Sequence, residues 1–299
     1  MQRTGIGVFI IIISVCVAGC TTGAIEPPSY SVDESGVLSL KCSPVTTSEE
    51  QLISNETYTK TRIVIHTQTG DVITYLTAPE QPRAAVVYAP GAGEKPAGHE
   101  VRMAKYAAAG YAFLYIDMRG NGGETGGIRF GPQLVQQDYD AFSLGKWPQY
   151  YQSLCDLSSA RQVLMDKFNT PVYVMGSSNG GRYAAVAAGT DPEFAGYIGI
   201  STSDWGVYDA FVQQGYTGDP VRFAESIEPS TYIARISPRP VWIFHAEADS
   251  IIPFSAGKAL ADRAGEPKEF ITFSGSHGIN SDTDDQILTR WAQIYGTQE

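Results

Sequence analysis

The chain has 299 residues, of which 43% are hydrophobic, and a formal net charge of −11. This length allows one large domain or two small ones, and the composition is typical of a globular protein. The acidic charge excludes a nucleic-acid partner, because no basic stripe is present that could displace counterions from phosphates. The sequence makes no prediction of the oligomeric state.

Residues 1–19 are predicted to form an export signal. Arg3 gives a positive start, and the run GIGVFIIIISVCVAG is apolar but too short to cross a bilayer comfortably. The motif VAGC, which ends at Cys20, resembles the lipobox of prokaryotic lipoproteins, in which a peptidase cuts before the cysteine and the cysteine is lipidated. We therefore expect an exported chain that is anchored to the cell membrane or cell surface through lipid on Cys20. A plain signal peptide and an uncleaved anchor are the alternatives.

Residues 20–56 are predicted to be a tether and a loosely packed lead-in, because they are rich in Ser, Thr, Pro and Glu. Only the stretch VLSLKC is apolar enough to pair with another strand. Once the signal is removed and Cys20 carries lipid, Cys42 and Cys155 are the remaining cysteines. In an oxidising compartment they form either one disulfide or two buried thiols, and the sequence leaves both open.

Residues 57–299 are predicted to form one α/β domain. The runs TRIVIHT and VITYLTA are typical of an antiparallel strand pair. Short apolar strands then alternate with helical patterns, which indicates a mostly parallel central sheet flanked by helices on both faces. The insertion 203–237 interrupts this alternation and is predicted to form a small lid. The strands are predicted at 84–89, 111–117, 171–175, 196–201, 240–246 and 269–274, and the helices at 97–109, 149–168, 179–189, 255–264 and 282–295.

The segment VYVMGSSNGGRYAAVAAG places two serines between a buried strand and a helix. The helix formers that follow exclude a hairpin, and the missing Gly-Lys-Ser/Thr ending excludes a phosphate loop. Gly176, Ser178 and Gly180 instead match G-x-S-x-G, in which the serine projects above the sheet on a sharp turn. Glycine is needed at both positions because side chains there would collide. Ser178 is the predicted nucleophile, and Ser177 is a spacer.

A serine nucleophile needs a base, which is most often a histidine that a carboxylate orients. We assume the chain order Ser, then Asp or Glu, then His. That order excludes His66, His99 and His245. The remaining histidine is His277, in a glycine-flanked loop after the last predicted strand. Asp249 follows the preceding strand and is the predicted orienting acid, with Glu247 as the alternative.

The tetrahedral intermediate of acyl transfer needs two donors for its oxyanion. One is predicted to be the N–H of Asn179, and the other the N–H of Ala92 in the loop PGAGEKPAG. An ordinary glycine turn is the alternative for this loop. The acidic stretch SDTDDQ lacks the glycine and the terminal Glu of a calcium loop, and it fits an N-cap at Ser281 better. No metal site and no cofactor are predicted.

With these residues in place, the chain from about residue 57 to 299 resembles the α/β-hydrolase superfamily. Within it, the chain resembles the branch that includes dienelactone hydrolases, acyl-peptide and prolyl oligopeptidase catalytic domains, and acetyl esterases. The segments IDMRGNGG and FHAEADSIIP carry the resemblance, whereas Pro90 and Ala246 replace a His and a Gly of the usual pattern.

The resemblance implies the α/β-hydrolase fold and a serine hydrolase that cleaves a carboxylic ester through an acyl-enzyme intermediate. The partner is then a small-molecule or acyl substrate. A peptidase or an acyltransferase with the same triad is one alternative. A non-catalytic binding lipoprotein with a vestigial site is the other.

Overall fold

The computed structural model describes residues 29–296, so the predicted signal and Cys20 lie outside the described residues. The strands are β1 (Ser29–Val32), β2 (Leu38–Lys41), β3 (Thr46–Ser54), β4 (Thr59–Thr67), β5 (Gly70–Ala78), β6 (Ala85–Ala89), β7 (Ala112–Ile116), β8 (Val172–Ser177), β9 (Tyr197–Ile200), β10 (Val241–Ala246) and β11 (Lys268–Phe273). The helices are α1 (Glu100–Ala108), α2 (Pro132–Ser143), α3 (Gln149–Phe168), α4 (Asn179–Thr190), α5 (Val207–Gln213), α6 (Asp219–Glu225), α7 (Pro229–Tyr232), α8 (Phe254–Arg263) and α9 (Ser281–Tyr295).

In the described residues, nine strands form one sheet with the order β11-β10-β9-β8-β6-β7-β5-β4-β3. Strands β6 to β11 run parallel, and β5, β4 and β3 complete one side in antiparallel pairing. Every residue of β6, β7, β8 and β10 is buried, as expected for parallel strands that helices cover on both faces. The predicted α/β class and the mostly parallel sheet are confirmed.

Helices cover the sheet in two layers. On one face, α1 and α9 bury Tyr106 and Trp291 against the strands. On the other face, α3, α4 and α8 bury Leu154, Val186 and Leu260. Each large apolar side chain buried in this way contributes about 1.5–3 kcal/mol relative to full exposure. The loops at the carboxyl ends of the parallel strands are left to carry functional residues.

The residues before β4 differ from the predicted loose lead-in, because they contain three strands. Strand β3 pairs with β4 at the edge of the central sheet, so the predicted boundary at residue 57 falls inside a strand pair. All nine residues of β3 are exposed, which explains why its sequence has no apolar pattern. Cys42 forms a disulfide with Cys155 of α3, with 5.5 Å between the two Cα atoms. Of the two alternatives, the structure therefore contains the disulfide.

The predicted lid insertion contains α5, α6 and α7 and a 3₁₀ turn, Ile233–Ile236. Phe223 and Tyr232 of this insertion are fully buried in the main core, whereas α5 has no buried residue. Only the first part of the insertion therefore has the exposure expected of a lid. Within residues 29–296, no helix combines the length and the hydropathy of a membrane span.

Candidate active site

Ser178 lies on the tight turn between β8 and α4. Its φ of 52° and ψ of −119° place a non-glycine residue at positive φ, a strained conformation that is concentrated at functional sites. The turn is held by two hydrogen bonds. The N–H of Ser178 donates to the carbonyl of Ile200 at 2.8 Å, and the hydroxyl of Thr202 donates to the carbonyl of Ser178 at 3.0 Å. Ser178 is partly exposed, whereas Ser177 is fully buried.

The two glycines of the motif are required by close backbone approach. A Cβ atom on Gly176 would collide with the backbone of Gly180, and a Cβ atom on Gly180 would collide with the carbonyl of Ala89. Both obstacles are backbone atoms, so no side-chain rotation relieves them. The spacing G-x-S-x-G is therefore a steric requirement of this turn.

Asp249 and His277 meet at the carboxyl edge of the sheet, in the loops that follow the neighbouring strands β10 and β11. Nδ1 of His277 donates to Asp249, at 2.8 Å from Oδ2 and 3.0 Å from Oδ1. The N–H groups of Ile251 and Ile252 also donate to Oδ1, each at 2.9 Å. Burial by itself raises the pKa of Asp249, but the hydrogen bonds from Ile252, His277 and Ile251 outweigh it and lower the pKa below its usual value. Asp249 is therefore ionised at neutral pH.

The loop that carries His277 lies against the serine turn. The N–H of Gly278 donates to Oγ of Ser201 at 3.1 Å, and a Cβ atom on Gly278 would lie 3.9 Å from Oγ of Ser177. Among the described residues, Oγ of Ser178 makes no hydrogen bond to the ring of His277. Such contacts are often long in ligand-free sites and tighten in the substrate complex. The structure thus pairs His277 with Asp249 and places the loop of His277 against the serine turn, without a hydrogen bond between His277 and Ser178.

Ala92 and Asn179, the predicted oxyanion donors, line one small cavity at this edge. Asn179 is the first residue of α4, where N–H groups have no acceptor within the helix and the helix dipole favours an anion. Ala92 is exposed in the loop after β6. Asn121 holds this loop, because its Oδ1 accepts from the N–H of Gly93 at 2.7 Å and its Nδ2 donates to the carbonyl of Glu94 at 3.0 Å.

A chain of buried and partly buried polar contacts links the loop after β6, which carries Ala92, to α9. The carboxylate of Glu94 lies 3.1 Å from Nε2 of His99, and Nη1 of Arg102 donates to Nδ1 of His99 at 2.6 Å. Nε of Arg102 donates to both carboxylate oxygens of Asp284 at 2.9 and 3.0 Å, and Nη2 to the carbonyl of Ile279 at 3.4 Å. His99, which chain order excludes as a base, therefore connects Glu94 to Arg102 in this chain of contacts.

His245 is a supporting residue that the sequence argument missed. It is fully buried at the end of β10, and its Nε2 lies 3.0 Å from the carbonyl of Ile252 and 3.5 Å from Oδ2 of Asp249. The contact to Ile252 closes the loop that carries Asp249. The position of His245 in the sequence, four residues before Asp249, could have indicated this supporting role. Glu247, the alternative acid, is exposed, and the ring of His277 bonds to Asp249 instead.

Asn280, not Ser281, is the N-cap of α9, so the predicted cap was wrong by one residue. Oδ1 of Asn280 accepts from the N–H of Thr283 at 2.9 Å, and Ser281 is the first residue of the helix. One acid of the SDTDDQ stretch, Asp284, pairs with Arg102. Within residues 29–296, no cluster of three or more His, Cys, Asp or Glu side chains is arranged to hold a metal ion.

A second Ser-His-Asp arrangement lies on the surface of the edge strands. Nδ1 of His66 lies 2.8 Å from Oδ1 of Asp71, and its Nε2 lies 3.1 Å from Oγ of Ser48. All three residues are exposed. Ser48 lies within the extended strand β3, so it has neither the strained turn nor the helix N-terminus that accompany Ser178. The arrangement therefore lacks the oxyanion part of a catalytic site, and Ser48 is a matched control for Ser178.

Comparisons with known proteins cover different parts of the chain. The family model described as "Serine aminopeptidase, S33" matches residues 80–209, a stretch that contains Ala92, Ser178 and Asn179 but not the acid or the histidine. The uncharacterized protein YfhR of Escherichia coli O157:H7 is 27% identical over 151 residues, which are 49% of this chain and 53% of YfhR. The chain thus spans about half the length of the curated relatives it matches.

Solved structures match over most of the chain. Acetyl xylan esterase 1 from Thermoanaerobacterium sp. JW/SL YS485 has a TM-score of 0.66 at 13% identity, covering 84% of this chain and 89% of that chain. The acetyl xylan esterase from Paenibacillus sp. R4 has a TM-score of 0.67 at 17% identity, with the same coverage. A glucuronoyl esterase from Solibacter usitatus has a TM-score of 0.58 at 15% identity, covering 82% and 85%. At these identities the likeness shows the fold alone. The chain has the α/β-hydrolase fold.

Proposed function

We propose that this protein is a serine hydrolase that cleaves a carboxylic ester through an acyl-enzyme intermediate. The observation that carries the proposal is the hydrogen-bonded pair of Asp249 and His277, whose loop lies against the strained turn of Ser178. The match to a serine aminopeptidase family and the fold shared with esterases support a hydrolase of ester or peptide bonds.

In this mechanism Nε2 of His277 takes the proton of Ser178 as Oγ attacks the carbonyl carbon of the ester. Asp249 accepts the Nδ1–H of the imidazolium and keeps the ring in orientation. The N–H groups of Ala92 and Asn179 bind the oxyanion. His277 then gives its proton to the leaving alcohol. In the second half, a water molecule loses its proton to His277 and attacks the acyl carbon, and His277 then returns this proton to Oγ of Ser178 as the acid product leaves.

A peptidase with the same residues is the second candidate, and the serine aminopeptidase match favours it. An acyltransferase differs only in the acceptor, which is then an alcohol or an amine instead of water. A panel that presents one acyl group as an ester, an amide and an aminoacyl amide separates these activities.

We expect a fluorophosphonate probe to label Ser178, because a serine activated by a histidine attacks the phosphorus and is phosphonylated. Mass spectrometry of the digested protein identifies the modified peptide. Ser178→Ala removes the label, whereas Ser48→Ala retains it. If the folded protein takes no label, it is a binding protein with a vestigial site. A label on Ser48 instead indicates that the active site lies on the edge strands.

We also propose that the protein is a lipoprotein anchored through Cys20, on the strength of the VAGC motif. The wild type then fractionates with membranes and resists a high-salt wash. The acidic chain is repelled by anionic lipid, and two or more acyl chains anchor stably. Cys20→Ser loses the lipid and is either left uncleaved or released. An unmodified N-terminus downstream of Cys20, found by mass spectrometry, contradicts the proposal and indicates a plainly secreted hydrolase.

A further inference from the structure

Arg182 lies one turn along α4 from Asn179 and is partly exposed. Its Nη1 donates to Oδ1 of Asn179 at 2.9 Å, and its Nε and Nη2 donate to the carbonyl and the hydroxyl of Ser203 at 3.3 and 3.1 Å. A guanidinium has five N–H groups. One N–H on each terminal nitrogen is therefore left without an acceptor in residues 29–296. Two such groups on neighbouring nitrogens match the two oxygens of a carboxylate.

No carboxylate of the described residues forms an ion pair with Arg182. The two whose charge acts on it, Asp204 and Glu228, are engaged elsewhere. The N–H of Ser230 donates to Asp204 at 2.6 Å, and two backbone N–H groups of the insertion donate to Glu228 at 2.8 and 3.1 Å. Burial and repulsion from Asp204 raise the pKa of Glu228 to about 7, so it carries only part of a charge at neutral pH. Burial also lowers the pKa of Arg182, which indicates incomplete compensation of its charge.

The guanidinium of Arg182 lies next to the candidate active site, because it donates to the side chain of Asn179, which lines the cavity there. Its central carbon lies 4.6 Å from the ring centroid of Trp205, and Trp205 stacks on Phe130 with 3.5 Å between the ring centroids. Phe130 lines the same cavity as Ala92 and Asn179. Arg182 therefore contacts Asn179 directly, and Trp205 connects it to Phe130 at the cavity that Ala92 also lines.

Three more cations lie at this cavity: Arg119, which lines it and is paired with Asp156, and two that have no carboxylate partner among the described residues. Arg129 is exposed and lines it, and Nζ of Lys95 donates to the backbone carbonyls of Asn121 and Gly122 at 2.9 and 2.6 Å. In the part of the chain that the structure describes, neither forms an ion pair with a carboxylate. The whole chain has 32 acidic residues against 21 lysines and arginines. Three cations without a carboxylate partner around one cavity therefore form a local site for an anion within an acidic protein.

We propose that Arg182 binds a free carboxylate on the substrate, so that the enzyme prefers esters that carry a carboxylate to neutral esters. The proposal rests on the proposed ester hydrolysis at Ser178. The carboxylate accepts the two open N–H groups of Arg182, and Arg129 and Lys95 raise the local concentration of anions. The ring of Phe130, which lines the cavity, offers an apolar surface to the carbon chain that joins the carboxylate to the ester.

The test compares acids with neutral esters of nearly the same size. Monomethyl succinate against dimethyl succinate places the carboxylate on the acyl side, and acetoxyacetate against its methyl ester places it on the alcohol side. In at least one pair, we expect kcat/KM of the wild type to be about tenfold or more higher for the acid, as for a hydrogen-bonded charge. Arg182→Met reduces this ratio by about tenfold or more. Arg182→Lys keeps the positive charge but loses the two parallel N–H groups of the guanidinium, and it is expected to retain part of this ratio.

Arg235→Met is the matched control, because Arg235 is exposed on the 3₁₀ turn and its loss changes the net charge equally. In this variant, the ratio of kcat/KM for the acid to kcat/KM for the neutral ester is expected to stay at the wild-type value. Arg182 also holds Asn179, so its replacement lowers turnover of both esters, and the ratio isolates the effect of the carboxylate. A wild-type ratio of one or below in both pairs, or a ratio that Arg182→Met leaves unchanged, overturns the proposal.

Calorimetric titration with succinate gives a readout that does not depend on turnover. We expect the wild type and Arg235→Met to bind succinate and Arg182→Met to lose that binding. Equal binding by all three proteins, or no binding by the wild type, overturns the inference about Arg182. If no ester of any kind is hydrolysed, the proposed function fails, and the succinate titration still decides whether Arg182 binds a carboxylate.

Discussion

Ser178→Ala is expected to lower ester turnover by about three orders of magnitude or more, because the variant has no nucleophile. His277→Ala removes the base and has a similar effect. Asp249→Asn keeps the shape of the acid but presents the wrong partner to Nδ1, which destabilises the imidazolium and the required tautomer. The double variant of Ser178 and His277 is expected to be no worse than either single one, because the residues act as one unit. The measurement is kcat and KM for a soluble acetyl ester.

The surface arrangement on the edge strands supplies the controls for these variants. Ser48→Ala and His66→Ala remove the same side chains from an exposed Ser-His-Asp arrangement, and both are expected to keep wild-type turnover. Glu247→Gln, at the alternative acid, is expected to do the same. Near-normal turnover in His277→Ala would falsify the assignment of the base.

Removal of the disulfide has the largest expected effect on stability. Cys42 and Cys155 are separated by 113 positions in the chain, and closing a loop of this size stabilises the folded state by about 5 kcal/mol in the chain-entropy model. Replacing both cysteines by serine is therefore expected to lower the free energy of unfolding by about that amount. Urea denaturation of oxidised protein measures it, with the slope against urea compared between the two proteins.

Reduction of the wild type is the control for this prediction. A reducing agent should lower its urea midpoint to near that of the double serine variant and leave the variant itself unchanged. If the oxidised and reduced wild type unfold at the same urea concentration, the disulfide does not stabilise the fold.

Some parts of the fold and the site could be predicted because their causes are local in the sequence. The turn at Ser178 requires Gly176 and Gly180 within five residues, and the buried strands have continuous apolar runs. The limits of α3 match the prediction at both ends, whereas α2 was missed although its buried residues, Leu134, Asp138 and Phe142, recur at the helical spacing of four. Strand β3 escaped prediction because an edge strand with every residue exposed has no apolar face.

Other parts depend on contacts between distant residues. Arg102 and Asp284 are 182 positions apart, and nothing in either segment indicates the partner. The hydrogen bond of Arg182 could not be predicted for the same reason, because its partner Ser203 follows β9, the next strand along the chain. His277 and Asp249 could be assigned from chain order and strand position, but the hydrogen bond between them is a property of the folded sheet. The signal segment and Cys20 stay predictions.

The chain of contacts from Glu94 through His99 and Arg102 to Asp284 has a consequence for the rate of the chemical step. It fastens the loop of one predicted oxyanion donor, Ala92, to the helix that begins just after the loop of His277. The conformational entropy of these two loops is therefore lost when the protein folds, and not when substrate binds. In the proposed mechanism, little of the activation barrier then arises from rearrangement of the loop of Ala92, and the contact between His277 and Ser178 is the one that still has to form.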